Sequence, residues 1–374
     1  MLRTVAARLQ AVTRADDTVA RLGGDEFAVL LDNPANMAET TGVAERLTQV
    51  FQAPFHVGSH TLYCTTSIGV VVNDQNLSNA ENVLRDADIA MYRAKAAGRS
   101  RFVVFEDAMR ENILARMALE TDLRQAVRRQ ELEVYYQPVM HGASGVVAGF
   151  EALVRWHHPE RGIVLPGEFI PLAEETGLVI DIDRWVLKAA CAQLKAWSAL
   201  NPDLSLSVNL SSRQFARPDL APFIAGVLAE FALTPSRLKL ELTESLLMDP
   251  SPTVHGTLVA LQQIGLRLHI DDFGTGYSSL SYLQRFDADA LKVDRSFVMR
   301  MLESEDSAEL VRTVVNMAHN LGMQVVAEGV ETQEQYRHLQ CLGCEFVQGY
   351  LFSKPVPTEA AELLLRRNAA LLVA

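Results

Sequence analysis

Two periodicities alternate along this chain. From residue 133 onward, short β-prone runs are separated by longer stretches with apolar residues at helical spacing. The β-prone runs are EVYYQPV, VAGFEALVRW, LSLSVNLS, LKLELTE, LRLHIDD, ALKVDR, QVVAEGV and EFVQGY. The stretches between them include DRWVLKAACAQLKAW, LAPFIAGVLAEF, TVHGTLVALQQIG and AELVRTVVNMAHNLG. Alternating β and α elements over about 240 residues predict a (β/α)8, TIM-like barrel. Only a GASG turn separates the first two strands, so the first is expected to pair antiparallel, a departure from a regular barrel.

The first hundred residues read differently. Residues 1–14 predict an amphipathic helix carrying Val5, Leu9 and Val12. TVARL and FAVLL flank Gly23, Gly24, Asp25 and Glu26, which predicts a hairpin with acids at its tip. A helix over 36–52, a strand in TTSIGVVV, a helix in NVLRDADIAMYRAKAAG and a strand in SRFVVF complete a partial α/β pattern. Residues 106–132 lack Pro and Gly and place Ile113, Met117, Leu119 and Leu123 on part of one face. They predict a helical linker entering the barrel. The expected divisions are therefore 1–105, 106–132 and 133–374, in keeping with about two domains for this length.

Composition narrows the function classes. With 49% hydrophobic and 21% charged residues the chain is globular rather than disordered. No apolar run approaches roughly 18 residues, and MLRTVAARLQ lacks a signal-peptide core, so a cytoplasmic protein with no membrane segment is expected. A net charge of −12, without a basic stripe, argues against nucleic-acid binding. Cys341 and Cys344 form a C-x-x-C with no second pair nearby, so these, like Cys64 and Cys191, are expected to be ordinary thiols. The pair His157–His158 is expected at the surface.

The acids are what the composition leaves to explain. In barrels of this type chemistry gathers at the C-terminal strand ends. Those ends carry Gln137, Glu151, Asn209, Glu241 with Glu244, Asp271 with Asp272, Lys292, Glu328 with Glu331, and Gln348. Adjacent aspartates resist joint ionisation, and a ring of oxygen donors with one lysine favours Mg²⁺ or Mn²⁺ over zinc.

Along nearly their whole length residues 114–365 resemble the EAL family of cyclic di-GMP phosphodiesterases. The motifs are Glu151-Ala152-Leu153, NLSSRQF, ELTES, DDFGTGYSSL, KVDRSF, AEGVET and QGYLFSKP, in order. The resemblance implies hydrolysis of cyclic di-GMP to linear 5′-pGpG by a two-metal mechanism. It implies metal ligation by Glu151, Asn209, Glu241, Asp271 and Asp272, with Glu328 a ligand or general base. Lys292 would orient the attacking water, Glu244 would anchor a mobile DDFGTG loop, and Gln137, Leu153, Arg155 and Gln348 would meet substrate. A homodimer through the barrel is also implied. A non-catalytic cyclic di-GMP receptor is the alternative; receptors of this family usually lack a metal ligand, and none is lacking here.

The first hundred residues resemble the GGDEF family of diguanylate cyclases. Gly23-Gly24-Asp25-Glu26-Phe27 stands whole, and Lys95 and Arg99 fall where that family contacts triphosphate. Arg14 and Asp17 resemble its inhibitory product site. The family's first strand and helix, with a metal-binding aspartate, are not in this sequence, so no cyclase activity is expected of the chain.

Overall fold

A computed structural model describes residues 1–57, 60–72, 79–249, 251–274, 283 and 286–373. The chain divides into two compact units, 1–119 and 120–374.

The first unit opens with the helix Leu2–Val12, which buries Val5 and Leu9 as their spacing demands. Strands β1 (Thr18–Gly23) and β2 (Glu26–Leu30) form the expected antiparallel hairpin, with Gly24 at φ 48° in its turn. The helix Met37–Val50 is capped by the Asn36 side chain, which accepts the Glu39 N–H. Strands β3 (Phe55–Val57) and β4 (His60–Leu62) form a second hairpin that the sequence pattern did not announce. Runs of three residues are too short to show alternation. Strands β5 (Ser67–Val70) and β6 (Arg101–Val104) pair in parallel, joined through the helix Ala80–Ala96. Among the described residues the strands of this unit stand in three separate two-stranded sheets.

The helix expected over 106–132 covers Asp107–Ala126 and stops there. Gln130 takes φ 57°, and the Glu131 N–H returns to the Ala126 carbonyl, which reverses the chain into the next strand. Leu119 and Leu123 are buried, but Met117 is 62% exposed, so the apolar stripe is narrower than its spacing implied. The side chain of Ile113 lies outside the described residues.

The second unit continues with β7 (Leu132–His141), β8 (Val147–His158), β9 (Gly162–Val164), β10 (Ser205–Asn209), β11 (Leu238–Thr243), β12 (Arg267–Phe273), β13 (Ala290–Val293), β14 (Gln324–Ala327) and β15 (Phe346–Val347). From β8 through β10 to β15 neighbouring strands pair in parallel. β7 pairs antiparallel with both β8 and β15 and closes the ring, the irregularity that the short GASG turn predicted. β9 hangs outside the ring as a hairpin partner of β8.

Covering helices explain the strand composition. β13 is buried throughout, as a parallel strand shielded on both faces must be. The helix Val179–Trp197 buries Ile182, Val186, Leu187, Leu194 and Trp197, each contributing roughly 1.5–3 kcal/mol by leaving water. Trp197 packs at 4.8 Å from Tyr136 of β7 and 5.0 Å from Phe150 of β8, measured between ring centroids. Ring closure brings the polar ends of strands distant in sequence to one mouth.

Candidate active site

Lys292, on β13, stands at the centre of that mouth. Its Nζ lies 2.6 Å from both Glu241 Oε2 and Glu328 Oε1, 3.0 Å from Asp271 Oδ1 and 3.8 Å from Glu151 Oε2. These residues come from five strands or the loops directly after them. Lys292 is 1% exposed and Glu241 2%, so the charges meet in low dielectric, where attraction and desolvation are both large.

One ammonium does not balance four carboxylates, and the proton affinities record the deficit. Burial, then the neighbouring Glu151, pushes the Glu241 carboxyl well above its ordinary range despite Lys292. Burial raises Glu328 to about 8; Lys292 opposes the rise, while Asp271 and Glu151 add to it. Burial would lower Lys292, but the four carboxylates outweigh it and hold the lysine well above its usual value. Asp272 is also raised, by burial first and by Asp271 next. Among the described residues no three His, Cys, Asp or Glu side chains converge in a metal-ligand arrangement. The carboxylates turn to the ammonium instead. A ring of hard oxygen donors with this excess of negative charge fits a divalent cation, which would relieve the repulsion that the raised values express.

Neutral amides connect the ring. Asn209 Nδ2 donates to Glu151 Oε1 at 2.7 Å, and Gln348 Nε2 donates to Glu151 Oε2 at 2.7 Å and Gln137 Oε1 at 2.9 Å. Gln137 Nε2 reaches the Ser353 carbonyl at 3.2 Å. Gln348 arrives because Gly349 follows it: a Cβ at that position would collide with the Val330 main chain.

Asp272 has φ 53°, in the left-handed region, where the β12–β13 register shifts between Ile270 and Phe273. A non-glycine residue there carries strain of order 1–3 kcal/mol. The kink interrupts the alternation that would send adjacent strand residues to opposite faces. The Asp272 N–H donates to Asp271 Oδ1 at 3.0 Å. Glu244 Oε2 accepts the Gly274 N–H at 3.1 Å, so it holds the start of the segment after the aspartates. The remainder of the DDFGTGYSSL motif, 275–280, lies outside the described residues.

A cleft of about 210 Å³ opens above this ring, lined by Gln137, Glu151, Leu153, Asp271, Lys292, Glu328 and Gln348. Arg295, Glu331 and Tyr350 also line it, although the strand-end pattern gave no reason to select Arg295 or Tyr350. Arg295 follows Lys292 by three residues and donates to Glu331 at 2.9 Å. Arg155 is not in that lining. It is buried, donates to the Val154 carbonyl at 2.8 Å and lies 5.5 Å from the Tyr135 ring centroid. His269 is buried near Lys239 and Lys292, and burial holds it well below its ordinary value.

In the first unit the signature acids Asp25 and Glu26 are exposed at the hairpin turn. Lys95 and Arg99 are exposed too. Asp17 accepts the Arg14 N–H at 2.7 Å and the Asp32 N–H at 3.1 Å, and the Arg14 guanidinium pairs with Glu39. Both ends of the R-x-x-D pair are thus engaged within their own unit. His158 is buried rather than at the surface, with Nε2 3.2 Å from Asp122; His157 pairs with Glu133 at 2.6 Å. The four cysteines are free thiols, and Cys191 and Cys344 are buried.

Residues 120–355 match the EAL domain family model, and residues 1–101 match that of the diguanylate cyclase GGDEF domain. The bifunctional diguanylate cyclase/cyclic di-GMP phosphodiesterase MucR of Pseudomonas aeruginosa is 40% identical over 96% of this chain and 52% of its own length. The cyclic di-GMP phosphodiesterase NbdA of the same organism is 40% identical over 98% of this chain and 47% of its own. The chain therefore spans about half the length of these curated relatives. The solved PaMucR phosphodiesterase in complex with c-di-GMP superposes with a TM-score of 0.63 at 43% identity, covering 65% of this chain and 99% of that one.

Proposed function

Because the chain belongs to the EAL-domain family, we propose that its barrel hydrolyses cyclic di-GMP to linear 5′-pGpG with two divalent cations, Mg²⁺ or Mn²⁺. The observation that carries this reading is the carboxylate ring around Lys292, more negative than one ammonium can balance. Glu151, Asn209, Glu241, Asp271 and Asp272 would hold the cations, with Glu328 beside them. Bound there, the cations supply Lewis-acid polarisation of the phosphodiester and a lower pKa for the attacking water.

The chain's own residues do the rest. Glu328, whose Oε1 lies 2.6 Å from Lys292 Nζ, would take a proton from the attacking water. Lys292 would exchange a carboxylate partner for a phosphate oxygen as charge develops there. Gln348 holds Glu151 and Gln137 in fixed orientation. Leu153 forms apolar wall of the cleft, whereas Arg155, buried outside that lining, would have to leave the Val154 carbonyl to reach substrate phosphate. Glu244 restrains the main chain just after Asp271 and Asp272. Among the described residues no helix is long and apolar enough to cross a membrane. A homodimer through the barrel and a cytoplasmic setting belong to the same reading.

The test is chromatography of cyclic di-GMP incubated with the protein and Mg²⁺, Mn²⁺ or chelator. Metal-dependent pGpG is the expected outcome. Binding of unchanged nucleotide under every condition would make the chain a receptor instead.

A further inference from the structure

Asn209 reaches Glu151 from the turn that ends β10, and three successive residues of that turn are tied down. Asn209 Nδ2 donates to Glu151 Oε1 at 2.7 Å, and the Leu210 N–H donates to the Glu241 main-chain carbonyl at 3.3 Å. Ser211 donates both its N–H, at 3.0 Å, and its Oγ–H, at 2.6 Å, to Asp183 Oδ2. Ser211 Oγ also accepts the Gln214 N–H at 3.3 Å and so opens the short helix Ser212–Phe215.

Asp183 is an odd residue to find where it is. It belongs to the helix Val179–Trp197, next to Ile182 in the buried stripe, and is 7% exposed. Burial pushes its carboxyl up to about 7; the two Ser211 donors oppose that rise, and Glu174 adds to it. A buried carboxylate is costly unless its hydrogen bonds do something that a neutral residue cannot. Here both go to the residue two positions beyond Asn209.

We propose that Asp183 is a positioning residue for the cation site: by clamping Ser211 it fixes the turn that aims the Asn209 amide at Glu151. With the Asn209 nitrogen committed to Glu151, the amide oxygen is the atom left for a cation. The clamp acts from outside the ring, through Ser211, and touches neither cation nor substrate. It rests on the reading of the barrel mouth as a divalent-cation phosphodiesterase.

The test uses the full chain with Mn²⁺ as the probe. Three measurements are made: calorimetric Mn²⁺ affinity, steady-state kinetics (kcat and KM) with cyclic di-GMP, and metal-free amide hydrogen exchange over 209–215. Asp183→Ala should speed exchange at Leu210 and Ser211, weaken Mn²⁺ binding by about tenfold and lower kcat with little change in KM. Asp183→Asn keeps an acceptor for Ser211 and should recover Mn²⁺ affinity to within about threefold of wild type. Ser211→Ala should weaken Mn²⁺ binding similarly, and adding Asp183→Ala to it should cost little more, because the two act as one unit. If Asp183→Ala does not fold, Ser211→Ala and Asp183→Asn carry the test. A folded variant with faster exchange or a lower Tm, yet with unchanged Mn²⁺ affinity and kcat, would reduce Asp183 to a structural cap and overturn the proposal. A wild-type chain that binds no Mn²⁺ and releases no pGpG would instead overturn the reading of the barrel mouth.

Discussion

In the second unit a closed ring of strands delivers Glu151, Glu241, Asp271 and Glu328 to within 3.8 Å of a single ammonium. In the first unit the described residues form three two-stranded sheets, and Asp25 and Glu26 lie exposed at a hairpin turn. The two regions carry family signatures of similar clarity. What separates them is closure. A ring has no free edge, so each strand end is placed against the next, and repulsion between acids is held in place by the fold around it. A hairpin tip places its acids in water, where they repel little and perturb little.

The largest expected effect tests the ring directly. Glu151→Ala removes the acceptor shared by Asn209 and Gln348, and should lower cyclic di-GMP turnover by at least ~10²–10³-fold, the scale for losing one group that stabilises developing charge. Undiminished turnover, followed by chromatography, would break the comparison at its root.

A smaller effect follows from pH. Glu328 is raised from 4.5 to about 8 in the metal-free site. Between these values the unfolded chain holds fewer protons than the folded one, so metal-free stability should fall as pH rises. Cation binding displaces that proton and any held by Glu241 and Asp272, so Mn²⁺ affinity should rise with pH up to about 8, by up to about tenfold per unit for each proton released. Calorimetric titrations in buffers of different ionisation enthalpy would count the protons released. An affinity independent of pH below 8 would show that Glu328 already sits ionised.

The smallest effect is expected in the first unit. Glu26→Ala, at an exposed turn, should change stability by no more than about 0.5 kcal/mol and leave cyclic di-GMP turnover within about twofold. GTP with Mg²⁺ should give no cyclic dinucleotide from this 374-residue chain. Product from GTP would mean that the hairpin acids find partners after all, and the contrast between the units would dissolve.

The barrel was legible where its information is local. Alternation within LKLEL, helical spacing within DRWVLKAACAQLKAW and the polar residue ending each run are properties of short windows, and the eight ring strands formed where those windows predicted. The short β3, β4 and β9 are not legible in the sequence, because three residues show no period. The spacing over 106–132 predicts a longer helix than the one that forms, because nothing local marks Gln130, which takes a left-handed φ without being glycine. Asp183 leaves a local trace, an acid inside the apolar stripe VIDIDRWVL, but its partner Ser211 stands 28 residues away.

By itself, then, the sequence determined the alternation, the strand count and which oxygen-bearing residues end which strand, since these depend on neighbours a few positions apart. The tertiary structure alone decided that Lys292 sits between carboxylates 21 to 141 residues away along the chain, that Gln348 reaches Glu151 across 197 residues, and that Asp272 bends against its own backbone preference. Those contacts exist only once the ring has closed. Closure is a balance of burial over the whole barrel against chain entropy, and no short window of residues contains it.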